Sequence, residues 1–160
     1  EIVRAPFDFV AMVGESFESS QPQFEAMRQK IDYTASDDVL LVNGDRERLI
    51  QVVNNLLSNA SKYSPEESDV EVEVDVVDRW LVFEVSDRGH GVPADNPEGL
   101  FEMFHRADNE ITRRVPGAGI GLHVSKRIID EHGGEISLSP RGDGGAIARF
   151  RIPLGLTALG

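Results

Sequence analysis

The chain has 160 residues, of which 40% are hydrophobic and 28% charged, a length that fits one domain with a core of its own. It contains no cysteine, which excludes disulfide staples and thiolate metal sites and is compatible with a reducing compartment. The net charge of −12 argues against nucleic acid as a partner, because such a surface repels phosphate backbones. No apolar run approaches the roughly 20 residues of a membrane span, and no signal peptide is visible. The chain opens at Glu1 without Met, partway into an expected helix, which points to a piece of a longer protein.

Phe7, Val10, Val13 and Phe17 recur at helical spacing and predict a helix over residues 7–28. Pro22 lies inside it and is expected to kink or end it. Two short extended segments follow, residues 31–34 and 39–42, and Asn43-Gly44 reads as a turn. Asp45 is a good N-cap for a helix with apolar positions at Leu49, Val52, Val53, Leu56, Leu57 and Ala60, and Ser64-Pro65 ends that helix.

Val70, Val72, Val74 and Val76 alternate with Glu71, Glu73 and Asp75, the pattern of a strand with one wet face. A second strand over 80–86 pairs with it across Asp78-Arg79 as a hairpin. A long irregular stretch from Arg88 to Pro116 follows, interrupted by a short helix over 99–106. Loops of that length in compact domains are usually functional or mobile. A helix over 121–132 is closed by Gly133-Gly134, a C-terminal cap signature. Two strands, 135–139 and 146–152, flank a turn-rich segment, and residues 154–160 read as a tail.

Three segments could carry chemistry. Asn55, Asn59, Lys62 and Tyr63 lie on one stripe of the second helix, bordering its apolar face. Amide oxygens are hard ligands suited to Mg²⁺, a lysine can meet a phosphate, and a tyrosine ring can stack on a base. A helix whose asparagines merely bond locally explains the stripe equally well, since a mid-helix Asn costs only about 0.7 kcal/mol.

Asp87 ends an apolar strand immediately before Gly89 and Gly91. Its carboxylate can accept a hydrogen bond from an exocyclic amine while the glycines let a flat base approach; an ordinary strand-to-turn junction is the simpler account of that segment alone. Gly117, Gly119 and Gly121 precede a helix and expose backbone N–H groups to an anion. No Lys-Ser/Thr follows, so this is not a Walker loop.

Phe101 and Phe104 could pin a loop over the site, though core packing accounts for such a pair as well. Arg106, Arg113 and Arg114 flank that loop and could reach a phosphate, or could be solvated surface charges. His90, His105, His123 and His132 show no metal-ligand spacing and read as structural or surface residues. Together the three segments offer a metal-binding face, a base-reading carboxylate and a phosphate cradle, the needs of an adenine nucleotide.

At this point the chain resembles the catalytic, ATP-binding domain of bacterial sensor histidine kinases, in the superfamily shared with type II topoisomerases and mismatch-repair ATPases. The N box matches Asn55-Leu-Leu-Ser-Asn-Ala-Ser-Lys-Tyr-Ser-Pro65, and the first glycine box matches Asp87-Arg-Gly-His-Gly91. The F box matches Leu100-Phe-Glu-Met-Phe-His-Arg106, and the second glycine box matches Gly117-Ala-Gly-Ile-Gly-Leu122.

The resemblance implies an α/β two-layer sandwich, a mixed β-sheet with helices packed on one face. It implies one ATP-binding domain over residues 1–153, with a lid over about 107–116 and a tail at 154–160. It implies ATP and Mg²⁺, with Asn59 as the metal ligand and Asn55, Lys62 and Arg106 as the catalytic set. Nucleotide contacts would come from Asn55, Asn59, Lys62, Tyr63, Asp87, Gly89, Gly91, Val92, Phe104, Gly117, Ala118, Gly119, Ile120, Gly121 and Leu122.

Hydrolytic members of the superfamily carry a Glu as general base one turn before the metal-binding Asn. Here that position is Asn55, which cannot take up a proton, so the residue choice favours phosphoryl transfer over hydrolysis. The family's phosphoacceptor histidine box is absent from this sequence. The implied partners are therefore a histidine-bearing dimerisation domain of the same protein and a downstream response regulator. The whole protein would be a membrane-anchored homodimer, with this fragment monomeric and cytoplasmic. An anti-sigma-factor-type serine kinase uses the same boxes, and a degenerate nucleotide-sensing module stays open as a third reading.

Overall fold

The computed structural model describes residues 2–87, 118–140 and 145–154. The short helix expected over 99–106, the lid over 107–116, and Gly89, Gly91, Val92, Phe104, Arg106, Arg113, Arg114 and Gly117 lie outside those residues, as do residues 155–160 of the expected tail.

The described elements run β1 (Ala5–Asp8), α1 (Phe9–Ala26), β2 (Lys30–Ala35), β3 (Leu41–Gly44), α2 (Arg46–Tyr63), β4 (Asp69–Val77), β5 (Trp80–Ser86), α3 (Ala118–Glu131), β6 (Glu135–Pro140) and β7 (Ala146–Pro153). Five strands form one mixed sheet in the order β2-β4-β5-β7-β6. Only the β2–β4 pair is parallel; the other three pairs are antiparallel. The three helices pack side by side, α1 on α2 and α2 on α3, over the sheet. This is the expected two-layer sandwich, with a separate ribbon of β1 and β3 added to it.

The alternation read in β4 is realised. Val70, Val72 and Val74 are buried under the helices, while Glu71 and Glu73 are exposed. Across the sheet, Leu81, Phe83 and Val85 of β5 and Phe150 and Ile152 of β7 fill the same layer. Phe9, the first residue of α1, meets Phe83 and Phe150 edge-on at 6.1 and 6.2 Å between ring centroids. Such pairs add about 1 kcal/mol each beyond their buried area. The β4–β5 hairpin turns at Asp78 and Arg79, with φ of 49° and 68°, the mirror-image turn that matches strand twist.

Several local expectations are corrected. Residues 5–8 are strand, so the chain does not open inside a helix; β1 pairs antiparallel with β3, and Phe7 lies opposite Val42. The Asp8 side chain accepts from the Val10 N–H and caps α1, which therefore begins at Phe9. Pro22 neither ends nor interrupts α1, which runs to Ala26; its lost bond falls on the exposed side, where water can serve the Glu18 carbonyl. Asn43 and Gly44 belong to β3 instead of forming a turn. The helix α3 starts at Ala118, three residues before the expected position, so Gly119 and Gly121 lie inside its first turn instead of ahead of it. Leu154, expected to open the tail, is 3% exposed, and its N–H bonds to the Arg79 carbonyl at 2.9 Å.

Candidate functional site

The register of α2 decides what its second half can present. Leu49, Val52, Val53, Leu56, Leu57 and Ala60 are buried against the sheet. That leaves Asn55 and Asn59 half-buried along the margin of the stripe, Tyr63 half-buried in the last turn, and Lys62 exposed beside it. Asp45 caps the helix through the Arg48 N–H, and Ser64 ends it with its N–H on the Ala60 carbonyl.

The asparagines differ in their commitments. The Asn55 amide nitrogen donates to Ser125 Oγ of α3 at 3.1 Å. The Asn59 amide nitrogen is buried and has no hydrogen-bond partner among the described residues. Buried polar atoms are nearly always paired, so the unpaired nitrogen marks a place where the described residues leave a donor unused. A hard amide oxygen on such a group fits Mg²⁺, which takes few protein ligands and completes its shell with water and phosphate. Among the described residues no group of three His, Cys, Asp or Glu offers an alternative cation cage.

The Tyr63 hydroxyl is likewise buried without a partner among the described residues, and burial pushes its pKa above the ordinary 10.0. The ring thus stays neutral and offers a flat apolar face.

Asp87 follows the last residue of β5 and is 8% exposed. Its N–H donates to the Ala146 carbonyl at 2.9 Å, and its Oδ1 accepts from the Ala146 N–H at 3.2 Å. The carboxylate is therefore pinned to the start of β7. Its position in the sandwich is set by register. Ser86 lies opposite Glu71 near the start of β4, and β4 begins shortly after α2 ends. Asp87, Lys62 and Tyr63 consequently occupy the same end of the molecule. The N-terminus of α3 belongs to a helix packed directly on α2, and a helix N-terminus carries about half a positive charge.

Residues 44–156 match the family described as Histidine kinase-, DNA gyrase B-, and HSP90-like ATPase. The chain belongs to this family. Sensor protein KdpD of Clostridium acetobutylicum is 37% identical over 142 residues, covering 89% of this chain and 16% of that protein. Sensor histidine kinase WalK of Bacillus subtilis is 32% identical over 147 residues, 91% of this chain and 23% of that protein. The nucleotide-free catalytic domain of histidine kinase ThkA superposes with a TM-score of 0.82 at 25% identity, covering 95% of this chain and 96% of that one. The chain thus spans less than a quarter of both curated relatives. The ATPase family match begins at Gly44, so β1, α1 and β2 precede it.

Two residues that matter here escaped the sequence reading. Ser125, on the buried stripe of α3 with Ile128 and Ile129, was legible only as a polar residue in an apolar register. Gln29, 6% exposed, sends its amide nitrogen to the carbonyls of Ser61, Ser64 and Pro65 at 3.1, 3.2 and 3.1 Å, and nothing local announces that. Among the described residues no helix is long and apolar enough to cross a membrane.

Proposed function

We propose that this chain is the catalytic domain of a sensor histidine kinase, binding Mg²⁺-ATP and passing the γ-phosphoryl group to a histidine on a domain outside this sequence. The observation that supports this reading is the stripe of Asn55, Asn59, Lys62 and Tyr63 at the end of the sandwich where Asp87 closes β5, with the Asn59 amide nitrogen unpaired among the described residues.

In this reading Asp87 accepts the adenine amine, Tyr63 lies against the base, and Lys62 meets phosphate as a point charge. Asn59 ligates Mg²⁺ and Asn55 supports it. The metal, when bound, neutralises phosphate charge. By the family resemblance, Gly89, Gly91 and Val92 would contact the base, Phe104 and Arg106 would serve from beside the lid, and the segment from Gly117 to Leu122 would meet the phosphates. Asn55 cannot take up a proton as a general base would, which supports transfer to a supplied acceptor over attack by water.

The acceptor would be a histidine on a dimerisation domain of the same protein, with a response regulator downstream. In this reading the domain works on the cytoplasmic side, where ATP is found, as part of a membrane-anchored dimer.

Calorimetric titration of the chain with ATP, with and without Mg²⁺, tests this. Saturable, Mg²⁺-dependent binding is expected. No binding at millimolar ATP would overturn the assignment and favour a module that no longer handles nucleotide. Phosphorylation of a partner on serine instead of histidine would move the chain to the anti-sigma-factor-type kinases.

A further inference from the structure

The buried stripe of α3 runs Ser125, Ile128 and Ile129 and continues into His132 just past the helix end, and all four are at most 2% exposed. A serine in that row is out of place on packing grounds, since a buried hydroxyl without a partner costs more than the methyl of alanine would. Its hydroxyl instead takes the amide proton of Asn55 at 3.1 Å. Asn55 borders an equally apolar stripe on α2. Two apolar helix faces therefore meet around one polar contact.

That contact sits midway along both helices. On α2 it lies one turn before Asn59 and two turns before Lys62 and Tyr63. On α3 it lies two turns after Ala118, where the helix begins within the second glycine segment. Apolar packing alone tolerates sliding of one helix along another, whereas a directional hydrogen bond between their midpoints does not. A buried polar pair of this kind is best attested as a device that fixes register.

We propose that Ser125 is a positioning residue for the nucleotide site. It holds the Asn55 amide by its nitrogen, which leaves the amide oxygen to face the site. It also fixes α2 against α3, so that the metal-side amides and the phosphate-side helix start keep one spacing. This inference rests on the proposed function, and only its nucleotide readout depends on it.

The test uses the whole chain with Ser125→Ala, Asn55→Ala and the double variant. Affinity for Mg²⁺-ATP is measured by calorimetry well below each variant's melting temperature, and the Asn55 side-chain amide is followed by NMR in the absence of nucleotide. Ser125→Ala is expected to shift the Asn55 amide resonances and to weaken Mg²⁺-ATP binding about tenfold, the size of one hydrogen bond lost to a buried amide. The double variant is expected to bind no more weakly than Asn55→Ala, because the serine acts through that side chain. Unshifted Asn55 resonances in Ser125→Ala overturn the proposal whatever the nucleotide does. Unchanged affinity, or the same tenfold loss on the Asn55→Ala background, overturns it too. Absence of binding by the unmodified chain would instead refute the proposed function, while the resonances still decide whether Ser125 holds Asn55.

Discussion

The Nε2 atom of His132 accepts a hydrogen bond from the backbone N–H of Asp45 at 3.0 Å. The other ring nitrogen, Nδ1, lies 2.8 Å from the Ile128 carbonyl and must donate to it. One neutral imidazole with its proton on Nδ1 thus ties the residue that caps α2 to the last turn of α3. Gly44 leaves room for the ring: a Cβ there would stand 3.2 Å from its Nε2 and Cδ2 atoms. Arg4 closes the same corner by donating to the Asn43 and Glu131 carbonyls, both at 3.3 Å.

A proton added to that ring would turn Nε2 into a donor facing the Asp45 N–H. Burial lowers the His132 pKa below its ordinary 6.5, outweighing the Ile128 carbonyl, which raises it. Between the lowered folded value and the ordinary unfolded one, the unfolded chain binds more protons, so stability rises with pH. The contribution is complete above about 6.5 and is lost as pH falls toward the folded value. His132→Ala is expected to cost about 3 kcal/mol near neutral pH. The gap from the unmodified protein should narrow in urea titrations run about two pH units lower. A gap of equal size at both pH values would show that His132 does not titrate into this network.

Two glycines should respond in opposite directions to alanine. A Cβ on Gly134 would lie 2.0 Å from the Arg151 carbonyl oxygen and 3.0 Å from Ile152 Cγ2. Gly134 directly follows the left-handed Gly133 (φ 77°), and its N–H closes α3 on the Ile129 carbonyl at 3.0 Å, so it cannot retreat without opening the cap. Gly134→Ala should cost about 2 kcal/mol or more. Gly14, inside α1, has nothing within 4 Å of its would-be Cβ, and Gly14→Ala should gain about 0.5–1 kcal/mol. Thermal melts of the two variants check both signs.

What could be read in advance was what periodicity encodes. The valine ladder of β4, the hairpin at Asp78-Arg79 and the apolar face of α2 each announce themselves within one segment, and they came out as expected. The β1–β3 ribbon did not, because its strands have four residues each and are joined by pairing across α1 and β2. Phe7 happens to sit at helical spacing with Val10, Val13 and Phe17, and only Asp8, a cap residue in the right place, argued otherwise. Asn43-Gly44 carries a strong turn signal, yet the Gly44 position is dictated by the distant His132 ring. In the site, the stripe of Asn55, Asn59, Lys62 and Tyr63 was legible from spacing. The partner that holds Asn55 was not, since Ser125 is 70 residues away.

The end of α2 depends on Gln29. Its Oε1 accepts from Ser61 Oγ at 2.7 Å while its amide nitrogen serves carbonyls that α2 leaves unpaired at its C-terminus. Gln29→Leu keeps the volume and removes every one of those bonds. About 3 kcal/mol of destabilisation is expected, because several buried polar groups lose their partners together. A loss below about 1 kcal/mol in denaturant unfolding would mean that water replaces the amide there.

Asn59→Ala should separate nucleotide from metal. The side chain has no hydrogen-bond partner for its nitrogen among the described residues, so its removal should leave stability within about 1 kcal/mol. Binding of ATP should then become insensitive to added Mg²⁺. An unchanged Mg²⁺ dependence in calorimetry would move the metal to other residues.

Asp87 has two jobs that a pair of variants can divide. Its Oδ1 accepts from the Ala146 N–H, a structural bond between the end of β5 and the start of β7. In the proposed function its carboxylate also accepts from the adenine amine. Asp87→Asn keeps an oxygen for Ala146 but brings an NH₂ group and no charge, so stability should hold within about 0.5 kcal/mol. Asp87→Ala removes both roles and should cost about 1 kcal/mol of stability without unfolding the domain. Both variants should lose ATP binding by at least about tenfold, since an amine donor facing an amide donor or a methyl gains no hydrogen bond. Calorimetry with ATP alongside urea unfolding reads the two roles separately. Near-unmodified ATP affinity in both variants would remove Asp87 from the adenine site and leave it as a strand anchor only.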